Sequence, residues 1–431
     1  MAIFRDVARR AATEPERPAV VGPCGPLSFG ALADRASERA DALAAEGVGP
    51  GGVVISFDGE PVRLLVDLMA AERVGASIIV ADSAWPHAMR GPALDAATAA
   101  AERHGGAGCL VVFTSGSTGV PRPVVRTQES WTYSFPAFSA LTGVDATDTV
   151  LIPGRMSGTL FLFGALHALV MGAAIHPLSH WSPTLATEAT ASCTTAHVVP
   201  AMLGVLAGRA DPATSRLRRA VCAGAHLAPT VEAVAGAAGI EVIDYYGAAE
   251  LSFVALRRRG SPPGAMRPFP DVEVEIRDGV IWARSRYLAK GLDLSADGYA
   301  SVGDHGCLEP DGTLIVTGRS NQSINCGGAT IAAEAIERAL RLASGVADVA
   351  VVGTPHGELG QVVVAVVEPD GPGGVALATL RAAIADQLHP SHRPRVWYEV
   401  DRLPRAGSGK VARAEVIAGL ADGSLVVRAL T

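Results

Sequence analysis

The sequence predicts an α/β protein with a large N-terminal domain of layered α/β sheets, a β-rich subdomain and a small α+β domain at the C-terminus. Three observations carry this. Apolar strands alternate with helical stretches over the first 250 or so residues. From about residue 271 the hydrophobic period changes to two. After Gly318-Arg319 helix and strand signals resume, in a tail long enough for a small domain of its own.

The elements follow in order. Leu32, Ala36, Ala40 and Leu43 share one helical face, and Gly47 to Gly52 ends that helix. Strand 53–57, helix 64–74 and strand 76–80 come next, an alternation that suits a largely parallel sheet. Leu151-Ile152-Pro153 ends a short strand, 159–173 is an apolar helix, and 196–199, 217–222 and 241–246 are strands. Val272 to Ile276, the turn Arg277-Asp278-Gly279 and Val280 to Arg284 form a hairpin of a half-exposed antiparallel sheet. In the tail, helix 332–342, strands 346–353 and 361–367 and a helix near 376–387 complete the set.

The bulk properties agree with a globular enzyme. The 431 residues are 49% hydrophobic and 18% charged, against about 25% charged for an average soluble protein, so the chain can bury a large interior. With aromatics at 5%, Ala, Val and Leu must fill the core. A net charge of -7 without a Lys/Arg stripe argues against a nucleic-acid partner. The N-terminus has no basic flank before an apolar run, so no signal peptide is expected. The apolar stretch Thr159 to Ile175 contains His167 and falls short of the about 20 residues a membrane span needs; a buried helix is expected. The six cysteines form no C-x-x-C pair, as suits free thiols in a reducing cytoplasm.

The sharpest motif is Val111-Val112-Phe113-Thr114-Ser115-Gly116-Ser117-Thr118-Gly119-Val120-Pro121-Arg122. An apolar strand runs into glycines and hydroxyls, and a cation follows. Glycines let backbone N–H groups approach an anion, hydroxyls add donors, and Arg122 adds charge. The spacing is not that of the P-loop, because only two residues separate the glycines and no Lys-Ser/Thr follows.

Thr114 to Arg122 resembles the signature loop of the adenylate-forming superfamily, which includes acyl-CoA synthetases, stand-alone adenylation domains and luciferases. Further resemblances follow in family order. Ala223-Gly224-Ala225-His226-Leu227 is similar to the element that lies against adenine. Tyr245-Tyr246-Gly247-Ala248-Ala249-Glu250 is similar to Y-G-x-T-E, and Ser301-Val302-Gly303-Asp304 to the S/T-T-G-D element. Gly318-Arg319 opens the hinge motif, Gly327-Gly328 sits at its glycine position, and Leu403 to Lys410 resembles the C-terminal L-P-x-T-x-x-G-K. Among family members the chain looks most like a compact bacterial acyl-CoA synthetase.

The resemblance implies an adenylate-forming domain over 1–317, a hinge over 318–321 centred on Asn321, and a small mobile C-terminal domain over 322–431. It implies ATP-dependent activation of a small-molecule carboxylic acid as an acyl-adenylate, with pyrophosphate released, and transfer to the thiol of coenzyme A. Transfer to a phosphopantetheine arm of an acyl carrier protein, transfer to an amine, and nucleotide binding without catalysis stay open as alternatives. Glu250 would hold Mg²⁺. Asp304 would accept from the two ribose hydroxyls, since one carboxylate can serve both. Arg319 would contact ribose or phosphate. Thr114 to Gly119 with Arg122, Gly224 to His226, and Tyr245 to Ala249 would surround the nucleotide. Lys410 would reach the acid carboxylate in the adenylation conformation, after which rotation about the hinge would remove it and open a thiol channel at Gly327-Gly328.

Four positions depart from the family pattern. Ala249 replaces the Thr before the Glu, Val302 replaces a Thr, Asn321 stands at the hinge, and Gln128 stands where a His is customary. At the acid, Pro153 to Gly158 matches the family's reaching segment. Arg155 and Met156 stand where other members have an Asp or an aromatic and a His, so an α-amino acid is not expected. Met156 either walls the pocket or packs in the core. Arg155 either pairs with a second substrate carboxylate or points to solvent. His226, Gly158 and Gly247 complete the expected acid-binding set.

Overall fold

The computed structural model describes residues 3–104, 108–114, 121–225, 227–258, 261–262, 264–319, 323–405 and 411–431, without the side chains of Arg258 and Arg319. The chain forms two compact units. The first is built from Met1–Ser83, Leu94–Thr114 and Pro123–Gly318, and the second mainly from Arg319–Thr431.

The first unit contains two sheets. In the smaller, strands Val53–Phe57, Ser77–Ala81, Cys109–Thr114 and Arg122–Thr127 lie side by side in chain order. The first three run parallel, because helices Pro61–Val74 and His87–His104 carry the chain back between them. The larger sheet has a parallel centre of Thr149–Ile152, Ala174–Pro177, Thr195–Val198, Arg219–Cys222 and Glu241–Ala248. Helix Phe29–Ala45 buries Leu32, Ala36, Ala40 and Leu43 as the periodicity requires, and its Ser28 cap accepts from Ala31 N at 3.2 Å. The apolar run 159–175 divides into helix Thr159–Met171 and strand Ala174–Pro177, both largely buried. No helix among the described residues is long and apolar enough to cross a membrane.

Antiparallel pairing begins earlier than residue 271. Strand Glu241–Ala248 turns through Ala249 to Leu251 into Ser252–Arg258, and so short a connection can join only antiparallel strands. The expected hairpin is present as Val272–Arg277 and Val280–Ser285, with Asp278 and Gly279 both at positive φ, 51° and 75°.

In the second unit, the long hairpin Val346–His356 and Gly360–Pro369 is apolar on both faces. Val349, Val351, Val363 and Ala365 pack toward helices Ala333–Leu340 and Leu377–Ala385. Val352, Val362, Val364 and Val366 pack with Val416 of helix Arg413–Asp422. Alternate residues of one strand thus serve two cores.

One ionic cluster in the first unit joins helix Pro229–Ala237 to the sheet. Arg257 donates to both Glu232 oxygens, at 2.9 and 3.0 Å, and lies 3.5 Å from Asp244. Burial pushes the Asp244 carboxyl up to about 6; Arg257 opposes this and Glu232 adds to it. Its folded value therefore lies above the unfolded one of about 3.9. Between those values the folded chain keeps a proton that the unfolded chain has released, so this group's contribution to stability falls as pH rises from about 4 to about 6. Asp244→Asn removes that slope: the gap in urea midpoint between the variant and the parent should shift toward the variant across this window and stay level above it.

Candidate active site

Strand Cys109–Thr114 delivers Thr114 to the edge of the phosphate-loop motif, and Ser115 to Gly119 lie outside the described residues. The Thr114 hydroxyl donates to Glu250 Oε1 at 3.4 Å. Glu250 is only 6% exposed, at the turn that links Glu241–Ala248 to Ser252–Arg258. A loop motif and a residue 136 positions away thus meet in one unit. Arg122 opens the strand that leaves the loop and is exposed.

The same strand carries Arg126, which sequence reasoning did not single out. Its side chain is 1% exposed and reaches three chain segments. Nη1 donates to Ala249 O at 2.7 Å, Nη2 to Ser130 O at 2.7 Å and Tyr287 O at 2.6 Å, and Nε to Ser130 Oγ at 3.2 Å. The guanidinium also lies over the Trp131 ring, 5.5 Å from its centroid. Burial pulls it below the usual arginine range, and the Glu250 charge acts in the opposite sense. Ala289 N donates to Glu250 O at 2.8 Å, which fixes the turn from the other side.

Tyr246 donates its hydroxyl to Asp304 Oδ2 at 2.9 Å, bringing together two residues of separate motifs. Asp304 begins strand Asp304–Leu308 after a turn in which Gly303, at φ 79°, donates to Ser301 Oγ at 3.0 Å. Gly247 sits where the strand pairing shifts register, and a Cβ there would come 2.1 Å from Ser252 O, so no side chain fits. Gly224, at φ 87°, follows strand Arg219–Cys222 together with Ala225. His226 lies outside the described residues.

A cavity of about 100 Å³ opens between these elements. Gly224, Tyr245, Gly247, Ala248 and Ala249 of the expected set line it. So do Trp131, Leu160, Phe163 and Phe253, none of which a motif marked. A signal for them existed: aromatics are rare in this chain, and Thr159 and Phe163 stand one helical turn apart.

Arg155 and Met156 are placed otherwise. Met156 is 1% exposed and packs within the main core. Arg155 is half-buried and engaged within the unit through one guanidinium nitrogen. Its Nη1 donates to Ser83 Oγ at 2.7 Å and stands 3.4 Å from the buried Asp58, which also accepts from Ser83 and Ser157 N. Neither residue lines the cavity. Gly158 caps the N-terminus of helix Thr159–Met171.

In the second unit, Lys410 and Asn321 lie outside the described residues, and Arg319 ends strand Leu314–Arg319. The described residues on either side of Lys410 are joined to each other. Arg405 and Val411 form an antiparallel bridge, and Ala412 N donates to Pro404 O at 2.9 Å. Arg413 grips the buried Glu337 with Nε and Nη2 at 2.9 and 2.6 Å, while Glu337 also accepts from Val351 N at 2.9 Å. Gly327 and Gly328, at φ 57° and 87°, make the tight turn between strands Ser323–Cys326 and Ala329–Ala332.

Two outcomes follow. Arg126→Met leaves three buried carbonyls without their donor, at about 1–3 kcal/mol each. Urea unfolding should show at least about 3 kcal/mol lost, with a smaller loss for Arg126→Lys. Glu337→Ala takes the nearer carboxylate from the Arg413 guanidinium, leaving Glu334 at 3.7 Å, and leaves Val351 N without its acceptor, and should cost about 1–3 kcal/mol. Amide hydrogen exchange should rise along Arg413–Asp422 while the first unit keeps its protection.

Residues 93–292 match the AMP-binding enzyme family, and residues 335–410 match the AMP-binding enzyme C-terminal domain. An uncharacterized acyl–CoA ligase of Bacillus subtilis, YhfT, is 33% identical over 325 residues, covering 70% of this chain and 67% of that protein. A probable 2-succinylbenzoate–CoA ligase of Mycobacterium tuberculosis is 32% identical over 334 residues, covering 73% of this chain and 85% of its own length. The o-succinylbenzoate CoA synthetase MenE of Bacillus subtilis shares the fold, with a TM-score of 0.85 at 19% identity over 99% of both chains. With two family domains in order and relatives above 30% identity, this chain belongs to the adenylate-forming, AMP-binding enzyme family.

Proposed function

We propose that this protein is an AMP-forming acid–thiol ligase that activates a carboxylic acid with ATP and transfers the acyl group to coenzyme A. The observation that carries the reading is the meeting, in one unit, of Thr114 with Glu250 and of Tyr246 with Asp304, residues next in sequence to Tyr245, Gly247, Ala248 and Ala249 of the cavity lining or drawn to them from distant motifs. In the first half-reaction a carboxylate oxygen attacks the α-phosphorus of ATP and the bond to pyrophosphate breaks. In the second, a thiolate attacks the acyl carbon and AMP leaves. Both reactants of the first step are anions, so positioned cations and donors lower its barrier most.

In this reading Asp304 accepts from the ribose hydroxyls while the Tyr246 hydroxyl steadies its carboxylate. Gly224 and Gly247 let backbone approach the nucleotide and the acid where a side chain would intrude. Arg122 and the phosphate-loop donors hold the triphosphate, and Lys410 neutralises the attacking carboxylate. Glu250 suits Mg²⁺: it offers one buried carboxylate, and that ion takes one or two carboxylates with the rest of its sphere from phosphates and water. Bound there, Mg²⁺ would spread the negative charge of the phosphates. The six free cysteines suit a cytoplasmic enzyme. A carrier-protein thiol could replace coenzyme A as acceptor without altering the adenylation site.

ATP–pyrophosphate exchange with a panel of acids tests the first half-reaction, and absence of exchange with every acid would overturn the reading. Lys410→Ala should abolish exchange yet leave thioester formation from a pre-made acyl-adenylate within about tenfold of the parent. Equal loss of both half-reactions would remove Lys410 from its role.

A further inference from the structure

Gly247, which belongs to the expected acid-binding set, lines the cavity in the first unit together with a group of apolar rings that no nucleotide motif includes, and this apolar side is read as the place of the acid body. The pocket is open on one side, and its inner space of about 100 Å³ is on the scale of a single aromatic ring; an enclosed cavity of about 150 Å³ lined by Leu, Ile and Phe takes up benzene. The inner wall is made of rings. Phe163 and Phe253 meet edge to face at 4.8 Å, and Phe138 and Phe269 back them at 5.0 and 4.9 Å from Phe253. Rings so arranged present edges and faces to a further ring. They also close the path that a long alkyl chain would need, since Phe138, Phe253 and Phe269 are all buried and packed.

The wall also lacks a partner for a second negative charge among the described residues. Arg126 is the one charged side chain on the lining, and its Nε, Nη1 and Nη2 each already donate to Ser130, Ala249 or Tyr287. Arg155 is held by Ser83 and Asp58 away from the cavity. A dicarboxylate tail placed here would lose its hydration without gaining a counter-charge.

We infer that the acid activated by this enzyme is a monocarboxylic acid with an uncharged body the size of one aromatic ring, benzoate being the type. This rests on the adenylation reading above.

The test is ATP–pyrophosphate exchange by the full chain with benzoate, succinate, 2-succinylbenzoate and dodecanoate. Benzoate should exceed each of the others in kcat/KM by at least about tenfold. Phe253→Ala should raise kcat/KM for biphenyl-4-carboxylate at least about tenfold and lower that for benzoate. Leu160→Ala, at a partly exposed helix position, supplies the same enlargement independently of the buried ring cluster. Exchange that favours succinate, 2-succinylbenzoate or dodecanoate overturns the size and charge limits while leaving adenylation standing. Exchange with none of these four acids overturns the inference, and absence of exchange across the wider acid panel overturns adenylation as well.

Discussion

A guanidinium cannot shed its charge, so burying one obliges the fold to surround it with acceptors. Arg126 meets that obligation with carbonyls from three places: the helix that follows it, the turn before Glu250, and Tyr287 of the β-rich part. Once those acceptors are committed, the rest of the site has little freedom. The Ala249 carbonyl fixes the turn that carries Glu250. Trp131, under the guanidinium, becomes one wall of the cavity. The strand that leaves the phosphate loop is tied to the strand pair that ends in Tyr246 and Gly247.

Backbone accounts for much of the remaining shape. The register shift at Gly247 brings Ser252 O against the position of a missing Cβ, so the two strands approach more closely there than any side chain would allow. Gly224 turns the chain away after its strand. Nearby, the Tyr246 hydroxyl donates to the Asp304 carboxylate and so joins two separate motifs. In the second unit a similar economy operates: Glu337 binds Arg413 and Val351 N together, and so sets the base from which the Lys410 loop emerges.

The parts of this arrangement that depend on local sequence were legible. The helix face of Leu32, Ala36, Ala40 and Leu43, the Asp278-Gly279 turn and the alternating strands of the tail all follow from periodicity and turn chemistry. Glycines at special positions were legible too, since Gly224 and Gly247 sit in recognisable motifs. Arg126, Phe163 and Phe253 were not, because their importance arises from residues far along the chain. Arg155 shows the reverse: it stands in a suggestive segment, yet Asp58 and Ser83, which engage it, belong to loops after distant strands. The early onset of antiparallel pairing was hidden because strand Ser252–Arg258 is buried on both faces and shows little alternation.

The separation of Arg126 from its partners bears on how the chain is made. Its carbonyl acceptors at Ala249 and Tyr287 lie 123 and 161 residues downstream. During synthesis the guanidinium emerges long before either, and a nascent chain that stops short of Ala249 keeps the cation in water. The strand that bears it can settle into the interior only after most of the first unit has left the ribosome. Burial of the Arg126 strand is thereby tied to the arrival of the β-rich segment, since only a chain that carries Ala249 and Tyr287 can offer the guanidinium these two acceptors.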